Sequence, residues 1–69
     1  MTTLNEQEIE TIENKLLHFG LEGDREATRR YANLYLFGRT WERTRSAEHQ
    51  QNFLDQVHDA QTWLTANYA

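Results

Sequence analysis

Six arginines and four aromatic side chains interleave in one stretch of this chain, REATRRYANLYLFGRTWERTR at residues 25–45. Arg25, Arg29, Arg30, Arg39, Arg43 and Arg45 stand there with Tyr31, Tyr35, Phe37 and Trp41. Guanidinium and aromatic groups dominate protein contact hot spots, and the same pair stacks on bases and neutralises phosphates. The chemistry on offer is recognition. Metal binding has less support. No two of His18, His49 and His58 have the i, i+3 or i, i+4 spacing that sets two ligands on one helical face. Asp55, His58 and Asp59 do share a face, yet a cation there would need a further ligand from a second chain, and a solvated helix surface explains the trio more simply. The chain lacks cysteine, which removes thiolate nucleophiles, thiolate metal sites and disulfides. Ser46 lies between Arg45 and Ala47 at a helix-cap position, with no G-x-S-x-G around it. Glu6, Glu8, Glu10 and Glu13 mimic an acid/base pair only if a cleft surrounds them, and capping and solubility explain them without one. GLEG at residues 20–23 lacks the length and the lysine of a phosphate loop. The expectation is no enzyme, no metal and no cofactor.

Charge is segregated along the chain. Residues 1–24 hold six carboxylates against Lys15 alone, and residues 46–69 hold three carboxylates and no Lys or Arg. A formal net charge of −4 therefore hides an acidic start, a basic middle and an acidic end. The acidic total disfavours nonspecific phosphate binding, while the arginine block keeps nucleic acid as an option. No apolar run approaches the ~20 residues that span a bilayer, and MTTLNEQEIE is acidic rather than signal-like. A cytoplasmic protein with no membrane association is expected.

These residues must be positioned by few elements. A domain of 69 residues buries only about 60% of the surface its unfolded chain exposes. Without disulfides, its stability must come from well-packed helices, self-association or both. There is no proline, and apolar residues recur at helical spacing, so the chain reads as all-α. Asn5 with Glu8 predicts a capping box opening a helix over about 6–19, whose stripe is Ile9, Ile12, Leu16 and Phe19, with Gly20 as the residue that ends it. Asp24 predicts the N-cap of a second helix. Gly38 could stop that helix, but Ala27, Tyr31, Leu34, Gly38, Trp41 and Arg45 continue a 4-3-4-3-4 spacing, which predicts one long helix over about 25–44. A glycine inside it costs about 1 kcal/mol relative to alanine but admits a neighbouring helix closely. Ala32, Tyr35, Leu36 and Phe37 widen its apolar arc, as in a helix packed between partners. Ser46 caps a third helix over about 47–67, with the stripe Phe53, Val57, Ala60 and Leu64 and with Leu54 and Trp63 on its shoulders. The expected architecture is a small three-helix arrangement around a long central helix, as a homodimer.

Two readings of the arginine block stand side by side. In one it is intramolecular: Glu26 pairs with Arg29 and Arg30, Glu42 pairs with Arg45, and the rest meet acidic helix 1 or cover apolar surface with their stems. In the other, Arg30, Tyr31, Tyr35, Arg39, Trp41, Arg43 and Arg45 form a partner-binding surface centred on Trp41. Trp41 is equally consistent with core, since it continues the Leu34 stripe. Three functions follow: a binding module that occludes another protein, a small nucleic-acid-binding protein, or a subunit or assembly factor of a larger complex. A tiny, acidic, helical, cysteine-free chain with an aromatic contact helix also resembles phage-encoded host-takeover proteins, among them quorum-sensing anti-activators and anti-CRISPR inhibitors. That resemblance implies a stoichiometric inhibitor of a host protein, such as a DNA-binding transcription regulator, acting in the host cytoplasm.

Overall fold

The computed structural model of the protein describes residues 5–68, which form three helices and no strand: α1 (Glu6–Leu21), α2 (Arg25–Thr44) and α3 (Ala47–Tyr68). This is the expected all-α bundle with α2 at its centre, packed along both neighbours, which meet each other less. The helices run up, down and up. The start of α1, the end of α2 and the start of α3 border one groove, while Phe19 and Tyr68 stack at the opposite end.

Local chemistry explains most boundaries. The Asn5 side chain accepts from the Glu8 N–H at 2.8 Å, and the Asn5 N–H donates back to the Glu8 carboxylate. This closes a capping box in which asparagine replaces the usual hydroxyl residue. Asp24 caps α2 by accepting from the N–H groups of Glu26 and Ala27. The end of α1 differs from the sequence expectation. The helix continues through Gly20 to Leu21, and the left-handed residue is Gly23, at φ 108°. The Gly23 N–H donates to the Gly20 carbonyl and the Asp24 N–H to that of Phe19, both at 3.0 Å, the bond pair of a Schellman stop. Gly20 is small for another reason: a Cβ there would lie 2.6 Å from Thr28 Oγ1 on α2.

Gly38 does not interrupt α2. A Cβ at this position would meet the Phe53 ring of α3 at 3.2 Å, so the missing side chain lets that ring seat against the α2 backbone. The core takes its fully buried large side chains one from each helix, Leu16, Leu34 and Val57, surrounded by Ile12, Ala27, Ala60 and Leu64. Ile9, Phe19, Tyr31, Phe53 and Trp63 pack around this cluster, half-buried. Burying each large aliphatic side chain contributes about 1.5–3 kcal/mol, and no polar side chain is buried among the described residues. Tyr68 extends α3 one residue past the expected end. Its ring stacks on Phe19 with centroids 3.7 Å apart, and its hydroxyl donates to the Asp24 carboxylate. No helix of the described residues is long and apolar enough to cross a membrane.

Candidate partner-binding surface

The seven residues singled out from sequence divide between an inner and an outer group. Arg30 is committed within the chain. Its side chain keeps only 16% exposure, and its guanidinium lies over the Trp63 ring of α3 at 4.7 Å. It pairs with Glu26 at 3.7 Å and faces Asp59 at 3.6 Å, with a buried Nε that no acceptor reaches at hydrogen-bond distance. Cation–π contact and shared charge make it a staple between α2 and α3. Tyr31 packs half-buried against the core. Arg29 donates to Glu26 at 2.9 Å, which holds the Glu26 carboxyl below its usual range. The intramolecular reading therefore applies to the first turns of α2.

Toward the other end the arginines meet rings rather than carboxylates: Arg39 lies over Tyr35 and Arg45 over Trp41. Among the described residues Arg25, Arg39, Arg43 and Arg45 make no ion pair, and the expected Glu42–Arg45 pair and helix 1 pairs do not form. Trp41 lies outside the core cluster, half-buried on the wall of an open groove of about 750 Å³. Ile9, Gly38, Phe53 and Leu54 give the groove its apolar surface, above the buried Leu34. Glu6, Glu10, Glu13 and Glu42 stand on the same walls as Tyr35, Arg39 and Arg45. Burial pushes the Glu13 carboxyl above its ordinary value, and the Glu10 and Glu42 carboxylates add to the rise. Arg45 caps α2 in the left-handed conformation, φ 53°, and its guanidinium sits 5.3 Å from the Trp41 ring centre. An L-residue other than glycine held there costs about 1 kcal/mol or more. The backbone strain and the cation over the indole coincide at the groove mouth.

Tyr35 and Arg39 are joined: Arg39 donates to the Tyr35 hydroxyl at 3.0 Å and lies over its ring at 5.6 Å. Both are exposed, as is Arg43 beyond them. At 100° per residue, Arg25, Ala32, Leu36, Arg39 and Arg43 fall within about 60° on the outward side of α2. All five are exposed, and no carboxylate of α2 lies in that arc.

No group of histidines and carboxylates among the described residues is placed to hold a metal ion. Asp55 accepts from Gln51 and Asp59 turns toward Arg30, so the trio with His58 is drawn apart. Sequence reasoning missed the contributions of α1 and α3 to the groove, namely Glu6, Ile9, Gln50 and Phe53, because no local pattern reports which helix ends converge. The outward position of Leu36 was legible in principle, since it lies on the helical face opposite Leu34. Comparison of the chain with protein-family models, with curated proteins and with solved structures returns no match.

Proposed function

We propose that this protein is a non-catalytic binding module that occludes or sequesters another protein, using the groove mouth formed by Trp41 and Arg45. The observation that carries this reading is Trp41 itself. A large indole left half-exposed on a groove wall, beneath an arginine that has a strained backbone and no carboxylate partner among the described residues, has the composition of a contact hot spot. Acidic walls around it suit a basic surface on the partner, such as the DNA-reading face of a host transcription regulator, because complementary charge speeds encounter and fixes register. A small inhibitor of phage type fits this reading, acting stoichiometrically in the cytoplasm.

The test is capture from bacterial lysate with wild type and with Trp41→Ala/Arg45→Ala, the variant's fold verified by circular dichroism. The expected result is one stoichiometric protein retained by wild type and lost by the variant, then rebound by wild type in purified form. Equal capture by both baits, or recovery of nucleic acid in place of protein, overturns the proposal. The second outcome would favour the one alternative with its own structural support. The arginine row on the outward face of α2 suits phosphates, and binding there would weaken steeply with salt.

A further inference from the structure

We infer that the outer face shared by α1 and α2 is a self-complementary surface for a second copy of this chain. The exposed large apolar side chains are concentrated there. Leu17 and Leu21 on α1 are 40% and 81% exposed, and Tyr35 and Leu36 on α2 are 51% and 62% exposed. Helical geometry sets Leu17 and Leu21 on the outward side of α1 with Glu6 and Glu10, away from the buried Ile12 and Leu16. It sets Leu36 on the outward side of α2 with Arg25, Arg39 and Arg43, and Tyr35 on the flank toward α1. Lys15, the lysine of α1, points instead into the groove between α1 and α3. Glu42 lines the α1–α2 groove beside Glu13. The α1 side of the face carries Glu6 and Glu10 with Leu17 and Leu21, and the α2 side carries Arg25, Arg39 and Arg43 with Leu36, three guanidinium groups against the one carboxylate of Glu42, which stands beside Arg39 and Arg43.

Among the described residues Glu6, Glu10, Arg25, Arg39 and Arg43 make no ion pair, although Glu6, Glu10 and Arg39 border one groove. A two-fold axis lying in this face along the α1–α2 seam exchanges the halves and keeps each residue at its height. It sets α1 of one copy on α2 of the other, with Glu6 and Glu10 toward Arg39 and Arg43, twice by symmetry. An acidic partner helix would satisfy the α2 half alone and be repelled by α1, so a second copy fits better. At ~1.5 Å per residue the 16 residues of α1 and 20 of α2 are about 24 and 30 Å long, and at ~10 Å of width each they present roughly 540 Å² per partner, the size of a weak, reversible interface. Tyr35, Arg39 and Arg43 then belong to the sister chain, while Trp41 and Arg45 at the groove mouth stay free for another protein.

Charge reversal tests this independently of any partner. Wild type, Glu6→Arg/Glu10→Arg and Arg39→Glu/Arg43→Glu are compared by analytical ultracentrifugation and native mass spectrometry across the micromolar range. Wild type is expected to be a reversible dimer. Each reversal is expected to weaken it by about tenfold or more, and an equimolar mixture of the two variants is expected to restore a one-to-one heterodimer. Leu36→Asp, which leaves the caps of all helices intact, is expected to weaken the dimer as well and keeps the test valid if a reversal variant unfolds. A monomeric wild type, a dimer indifferent to these changes, or a mixture that does not pair overturns the inference. None of the variants alters Trp41 or Arg45, so failure here is distinct from failure of the binding reading.

Discussion

Replacing Gly20 by alanine should destabilise this protein, although the same change inside a helix ordinarily stabilises it by about 1 kcal/mol. Gly20 sits in the last turn of α1, where only part of that gain is realised. Against it stands a contact between helices. The new Cβ would lie 2.6 Å from Thr28 Oγ1, whereas ordinary contact begins near 3.4 Å, and Thr28 Cα and N already lie at 3.4 Å behind it. Thr28 cannot simply turn away, because its hydroxyl donates to the Asp24 carbonyl at 3.1 Å. Separating α1 from α2 is the remaining escape, and overpacking of this kind costs about 1–3 kcal/mol. The net loss is about 1 kcal/mol, which lowers Tm by about 4–8 °C in a chain of this size. Thermal and urea denaturation followed by circular dichroism would measure it for Gly20→Ala, Thr28→Ala and the double variant. Removing Oγ1 relieves the overlap, so the double variant should recover most of the loss, with a coupling of about 1 kcal/mol. Gly38→Ala is the internal control. Its closest contact is 3.2 Å, to the edge of a half-buried ring that can yield, and its net effect should stay within about 0.5 kcal/mol of zero. A Gly20→Ala protein more stable than wild type, or losses that merely add, would refute this account of the α1–α2 approach.

Two further predictions concern pH. The Tyr68 hydroxyl is the main cause that holds the Asp24 carboxyl below its ordinary value, followed by the Ala27 N–H. That contribution is present at neutral pH and disappears as acid carries the solution through the folded-state pKa of Asp24. Tyr68→Phe should therefore move the Asp24 titration upward by NMR, and its stability deficit against wild type should shrink in acid; an unmoved Asp24 would show that the bond is not formed. Glu13 behaves in the opposite sense, because burial and the neighbouring Glu10 and Glu42 carboxylates raise its pKa. Its charge opposes folding above that pKa, so Glu13→Gln should stabilise the protein at neutral pH, with the gain vanishing on acidification. Urea denaturation at both pH values decides this, and a gain that persists in acid would point to packing rather than charge.

The parts legible in the sequence were those made by near neighbours. The Asn5–Glu8 box and the Asp24 cap each close within three residues, and the spacing across Gly38 revealed one continuous helix. The end of α1 was misplaced because two glycines lie three residues apart and two physical demands select glycine. Gly23 answers a positive φ, while Gly20 answers a close helix approach, and only the second depends on a residue of another helix. Within the site, Trp41 was open between core and surface. The three helix ends meet around a groove there, and the last turn of α2 overhangs the core rather than joining it. Arg30 was grouped with the contact residues because its partners, Trp63 and Asp59, are far along the chain. No local pattern reports a pairing across helices.

Tyr68 ties the last turn of α3 to a corner 44 positions earlier, where α1 stops and α2 begins. Helix ends are ordinarily the first places to open, each on its own. Here the final turn cannot unwind without unstacking Phe19 and uncovering the Asp24 carboxylate that starts α2. Fraying at the end of α3 therefore gives up a stack and a hydrogen bond to the α1–α2 corner as well as helical bonds of its own. A helix end that would otherwise stand alone is thereby moored to the bundle by one aromatic residue, and the chain's last described turn is held by the corner where α1 stops.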